Sequence, residues 1–313
     1  MTTTSTLTEP RRDQRQPGRT STLRRILGRQ PAGSLFSVPY VIYVLVIFAY
    51  PFGYAIWMAF HDWFFAAPGV EVDRPFVGLR NFADLFADPH TLRAFANVGL
   101  FLIINVPLTV IVAMPLATLL NAKLRFRGFF RSAYYLPYIT SSVAVVGVWL
   151  LLFGSDGLVN NVLGPLAPDP SWLSNSVLAM PLIAVYVTWK QLGFFVVLYL
   201  AGLQGIGKEQ YEAAAVDGAG RFRTFLSITV PSLRSVTSLV VMLSIITGAN
   251  VFTEPYLLTG GGGPNGASMT PALLMYQQGI EQNLPGLASA LGLMLIILVL
   301  VVALVSRRLI ERD

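Results

Sequence analysis

Runs of about twenty apolar residues, separated by short polar stretches, organise almost the whole chain. Six runs stand out, at about Leu35–Phe60, Ala94–Leu120, Ala133–Phe153, Val177–Ala201, Leu233–Thr253 and Gly286–Ser306. Each is long enough to cross a bilayer core as a helix, which takes roughly 20 residues. Helix is the expected state because lipid-exposed backbone must satisfy its own hydrogen bonds. No run shows the alternation of barrel strands. Pro51, Pro107, Pro115, Pro137 and Pro181 fall inside runs; such kinks are tolerated in membranes when neighbours satisfy the freed carbonyls. The pattern predicts an all-α membrane protein with six transmembrane helices over 31–313, preceded by a polar tail at 1–30.

Composition agrees. Of 313 residues, 54% are hydrophobic and only 12% charged, against about 25% charged in soluble domains. The chain has no cysteine and two histidines, His61 and His90. That excludes disulfides and thiolate metal sites and leaves no all-histidine site. The placement of charge fixes an expected topology. Eighteen of the 22 Lys and Arg residues fall in the two tails and in the loops after the second and fourth runs. Arg74, Arg80 and Arg93 lie on the other side, and Lys190 lies inside the fourth run. Positive residues stay inside, so both termini are expected in the cytoplasm. Residues 1–30 are rich in Thr, Arg, Gln and Pro and read as a disordered basic cytoplasmic tail. A cleaved signal peptide does not fit, because the first apolar run is too long and no clean small-residue cleavage site comes after it. Membrane lipid is an expected contact of the tail; no nucleic-acid partner is expected.

The loop after the fourth run, about 202–232, carries the most informative spacing. Gly202-Leu-Gln-Gly-Ile-Gly207-Lys208 begins like a nucleotide-binding loop, but Glu209 stands where Ser or Thr must hold magnesium. The motif also needs a strand before it, and here an apolar helix precedes it. A different spacing then begins at Glu212: Glu212-Ala213-Ala214, three residues, Gly218, nine residues, Ile228, one residue, Val230-Pro231. This resembles the EAA loop of membrane subunits of bacterial ABC importers, with Val230 where that family has leucine. Leu203-Gln204-Gly205-Ile206, Asp217-Gly218-Ala219 and Leu258-Thr259 with Gly260–Gly263 and Pro264 after them look like its carbohydrate branch. The residues themselves predict a helix Lys208–Val216 with a slim Ala213, Ala214, Ala215 face. A left-handed turn at Gly218 comes next, then a second helix Arg221–Thr229 ending before Pro231. The resemblance implies that this hairpin is a coupling helix-turn-helix on the cytoplasmic side, docking on a separate ATPase. Glu212, Ala213, Ala214, Asp217, Gly218 and Arg221 are then its coupling residues. It also implies a second permease subunit, two ATPase subunits and an external solute-binding protein, with a carbohydrate as solute. No cofactor is expected on this chain; ATP and magnesium belong to the ATPase.

Charges inside membrane helices face a cavity or a partner. Lys190, Gln191 and Phe194 on the fourth run and Ser244, Thr247 and Asn250 on the fifth are therefore candidates for a solute path; the resemblance places the helices flanking the hairpin there. Two readings stay open at these positions: a sugar-lined cavity, or packing within the bundle, such as Lys190 with Glu254. Gly260–Gly263 reads as a flexible outer turn. His61-Asp62 and Asp84, Asp88, His90 read as scattered loop residues, so no metal site is expected. The rival functions are the same architecture for phosphate, polyamine or another solute, and a stand-alone secondary transporter. The latter needs coupling-ion sites and repeated halves, and no repeat is visible.

Overall fold

The computed structural model describes residues 31–67, 69–121 and 127–311. The expected tail at 1–30, with Lys123, Arg125 and Arg312, lies outside the described residues. The chain divides into two units, Met1–Tyr54 and Ala55–Asp313.

Helices α1 (Pro31–Val44) and α2 (Tyr50–Ala59) run on through a π-turn at Leu45–Ala49. That turn sits just before Pro51. Tyr50 N–H reaches back to Leu45 O, and the wider register moves the facing carbonyl away from a ring that has no N–H. The side chains of the first span, such as Phe36, Tyr40 and Val46, are exposed, as suits a helix that is apolar all round and meets lipid.

In the second unit, α3 (Arg80–Ala87) is a short helix leading into α4 (Pro89–Asn121). The latter has 33 residues and continues through Pro107 and Pro115. Then come α5 (Arg127–Ile139), α6 (Ser142–Phe153) and α7 (Leu158–Leu163). The predicted single helix Ala133–Phe153 is thus broken. Thr140 folds back onto Leu136 O through both its N–H and its hydroxyl, and Ser141 leaves the helical region at ψ 132°. Long helix α8 (Ala179–Gln204) forms the centre of the bundle, and α4 packs along most of it. Close approach is possible at Gly193, where a Cβ would stand 2.7 Å from Tyr134 O on α5.

The hairpin helices are α9 (Lys208–Val216), α10 (Arg221–Thr224) and α11 (Val230–Ser232), the last two joined by a π-turn at Phe225–Thr229. After a 69° bend comes α12 (Arg234–Ala249), then α13 (Thr253–Leu258), α14 (Pro271–Tyr276) and α15 (Pro285–Glu311). Among the described residues, five helices are long and apolar enough to cross a membrane, or six if the bent pair through α12 counts as one span. The fifth span is shorter than predicted, ending at Ala249 instead of Thr253.

The core is built where α4, α8 and α12 meet. Phe101, Phe195, Tyr186 and Tyr199 are fully or almost fully buried there. Gly248 lets α12 approach Phe101, since a Cβ would lie 2.9 Å from that ring. A second cluster joins Ala59, Leu85, Ala94, Leu274 and Leu291. It seats the loop after α2 on the start of α15, where Gly286 N–H donates to Trp63 O at 3.0 Å.

Candidate functional site

The hairpin is built by local chemistry. α8 ends at Gln204 and, after three intervening residues, α9 begins at Lys208, capped by extended Gly207. At its far end Gly218 takes φ +72°. Gly218 N–H donates to Ala215 O at 3.1 Å and Ala219 N–H to Ala214 O at 2.9 Å. This paired arrangement closes a helix on a left-handed glycine, as the sequence predicts. Gly220 then starts α10, with Thr224 bonding back to its carbonyl through N–H and hydroxyl. The second arm does not stop before Pro231. The π-turn carries Val230 N–H to Phe225 O, and the helix continues to Ser232. As before Pro51, a widened turn accommodates a proline. Tyr211 and Thr229 hydroxyls, 3.2 Å apart, tie the two arms.

Glu212, Ala213, Asp217, Gly218 and Arg221 are exposed, whereas Ala214 is buried. The three alanines therefore do not share one face, because successive helical residues point about 100° apart. Ala214 packs inward, and the outer surface is Ala213, Ala215 and Val216. Val216 and Phe222 project with 88% and 75% exposure, apolar tips on an otherwise polar hairpin. Beneath them is an apolar groove of about 870 Å³ between α4 and the hairpin, lined by Pro115, Leu119, Ala215, Phe222 and Phe225.

The path candidates fall into two groups. Thr247 and Asn250 are exposed, each bonding to a carbonyl of α12 one turn back at 2.8 Å. Gln191 and Phe194 are half-buried, Phe194 stacking on Tyr138 at 5.4 Å. Ser244 is fully buried, and its hydroxyl has no hydrogen-bond partner among the described residues. The expected polar stripe is thus split, with Ser244 and Gly248 turned into the core. Lys190 is engaged inside the chain: its ammonium lies 4.0 Å from Glu254 Oε1 and donates to Ser142 Oγ.

Three arrangements have no signature in the sequence pattern. Asn105 donates to Thr188 Oγ1 at 2.8 Å in the core between α4 and α8. Asn81, buried, donates to Ala59 O and His61 O. The glycine-rich loop after α13 is not a free turn. Thr259 and Ser268 hydroxyls meet at 2.7 Å, and Gln277 donates to Gly261 O. Asn97 of α4 donates to Gly266 O and Met269 O, and Arg93 to Asn265 O. The glycines supply positive φ, from +63° to +118°, and distant side chains hold the result. Isolated amides within apolar runs are the one hint of such clamps.

Among the described residues no three His, Cys, Asp or Glu side chains are grouped to hold a metal. His61 bonds to Trp57 O at 2.7 Å and stacks on its indole. Asp88 caps α4, accepting from His90 N, Thr91 N and Thr91 Oγ1. Partial burial pushes its carboxyl up, but these donors outweigh that and hold it below the usual carboxylate value.

Known proteins are similar to this chain in sequence and in architecture. Residues 94–312 match the family described as binding-protein-dependent transport system inner membrane component. The arabinooligosaccharides transport system permease protein AraP of Bacillus subtilis is 36% identical over 285 residues, covering 90% of this chain and 89% of that protein. The trehalose/maltose transport system permease protein MalF of Thermococcus litoralis is 34% identical, covering 86% and 90%. A bacterial ABC transporter involved in the import of the acidic polysaccharide alginate has a chain that superposes with a TM-score of 0.74 at 23% identity, covering 93% of this chain and 98% of that one. That likeness establishes the fold, and the sequence matches establish kinship. The chain is a multi-pass membrane transport subunit and belongs to the binding-protein-dependent transport system inner membrane component family.

Proposed function

We propose that this chain is one permease subunit of an ATP-driven importer for a sugar or sugar oligomer. It forms half of the translocation path beside a second, similar permease. Two ATPase chains, which carry ATP and magnesium, dock on the hairpin from the cytoplasm, and an external solute-binding protein delivers the solute. Both termini lie in the cytoplasm, in line with the Lys and Arg distribution. Residues 1–30 act as a basic cytoplasmic tail and 31–313 as the permease domain.

The observation that carries this reading is the hairpin. Its EAA spacing places Glu212, Ala213, Asp217, Gly218 and Arg221 on an exposed surface, with Ala214 packed beneath them. Relatives whose names specify arabinooligosaccharides and trehalose/maltose support the solute class. Of the path candidates, Gln191 and Asn250 can offer amides, Thr247 a hydroxyl that still accepts, and Phe194, already stacked on Tyr138, an aromatic plate to a sugar. Lys190 is engaged by Glu254, which favours a neutral solute over an anionic one.

The test is purification of the tagged chain in mild detergent with identification by mass of what accompanies it. An ATPase and a second permease are expected. The chain alone, with no ATPase even after crosslinking at 208–220, would favour a stand-alone carrier. Solute identity comes from a binding screen on the cognate binding protein; phosphate or polyamine there would overturn the sugar assignment. In the assembled transporter, Asn250→Ala is expected to weaken uptake several-fold, roughly one lost hydrogen bond.

A further inference from the structure

Lys190 and Glu254 join two parts of the molecule that the chain itself keeps apart. Lys190 lies midway along α8, the helix that runs into the hairpin through only Gly205, Ile206 and Gly207. Glu254 lies in the first turn of α13, the short helix that opens the glycine-rich loop. Both side chains are nearly buried, 14% and 13% exposed, and Ser142 at the start of α6 adds a third contact. Burying opposite charges in an apolar bundle is costly unless they pair, and leaving one unpaired costs more. The pair therefore persists only while α8 and α13 keep their register.

From these contacts we infer that Lys190–Glu254 is an intramembrane fastener that couples displacement of the hairpin to the outer loop, through α8. Lys190 and Glu254 are positioning residues and make no contact with solute. The inference rests on the importer reading above. Asn97 and Arg93 hold the same loop to α4, and α4 packs along α8, so hairpin, α8 and loop form one mechanical unit.

The chain has no native cysteine, which gives a direct assay. Asn265, exposed at the tip of the loop, is replaced by Cys in the full transporter. Its labelling by a membrane-impermeant maleimide is then compared without nucleotide and with ATP and vanadate. The labelling rate is expected to change about fivefold between the two states with the pair intact. The neutral double variant Lys190→Met/Glu254→Gln leaves no orphan charge; it should retain ATPase binding and lose most of that change. Single Lys190→Met should reduce membrane yield, and the reversal Lys190→Glu/Glu254→Lys should restore both. A nucleotide response that survives in the double variant overturns the inference. So does a double variant that loses the response together with nucleotide-free solute affinity, because that marks a solute contact. Absence of hairpin–ATPase crosslinks in the unaltered pair defeats the importer reading itself, a separate result.

Discussion

The hairpin after α8 and the shorter loop after α13 both turn on glycine, yet they are held in opposite ways. In the hairpin, nearly every bond runs between residues fewer than six apart: Gly218 to Ala215, Ala219 to Ala214, Thr224 to Gly220. In the loop after α13, the decisive bonds come from Arg93 and Asn97, more than 160 positions earlier. A locally closed element can protrude and be gripped by another protein without losing its shape. A loop closed by distant side chains moves when the helix carrying them moves. The first suits a handle, the second a gate.

The largest effect expected from breaking this contrast is at Gly218. Proline cannot adopt φ +72°. Gly218→Pro should therefore leave the protein in the membrane while ATP-dependent uptake falls about tenfold or more. Glu212→Lys should do the same by charge alone. Unchanged uptake in reconstituted vesicles for both would remove the hairpin from coupling.

The same contrast explains what could be read in advance. Lys208–Val216 and the turn at Gly218 were legible to the residue, because helix formers, a helix-ending glycine and short-range bonds decide them. The break at Thr140–Ser141 was not: Thr140 N–H still makes the ordinary helical bond to Leu136 O, the chain leaves the helix only at extended Ser141, and three hydroxyl residues inside a long apolar run do not announce that. Pro231 misled in the other direction: the helix runs through it after a widened turn, as α4 runs through Pro107 and Pro115 without one, and spacing alone does not show which prolines end a helix. The split of the polar stripe on α12 was hidden for a different reason. Spacing shows which residues neighbour each other on a helix, but not which side α4 will cover. The first, second, fourth and sixth runs coincide with long apolar helices among the described residues, because lipid imposes the same requirement on each; the third is displaced to Ser142–Leu166 and the fifth is bent.

A second, smaller effect sharpens the comparison at the loop after α13. Thr270, fully buried, donates its hydroxyl to Val251 O at 2.7 Å and accepts from Leu273 N–H. Thr270→Val removes the donor and the cap together. A loss of about 1–3 kcal/mol is expected, read as earlier thermal unfolding in detergent, whereas an equally conservative Thr224→Val in the hairpin should cost less. Asn97→Ala should cost about 1–2 kcal/mol and speed protease cleavage at 259–270 without changing cleavage of the hairpin.

The smallest effect tests local closure outside the hairpin. Asp88→Ala removes the cap of α4, at about 1 kcal/mol. Because the folded carboxyl sits below its usual value, the cap is fully present above pH of about 4 and fades as pH falls through the lower folded value. Asp88→Asn should keep most of the cap and remove that acid sensitivity, visible as a flatter unfolding temperature between neutral and acid pH.

Helix α12 has 16 residues, about 24 Å at the usual rise, against about 30 Å of hydrocarbon. Its ends are a 69° bend below and the non-helical Asn250 above. Where water reaches both ends, a transmembrane voltage would fall over about 24 Å here instead of about 30 Å, a steeper field along this segment. A charged solute moving beside it would feel that steeper field, and a neutral one would not.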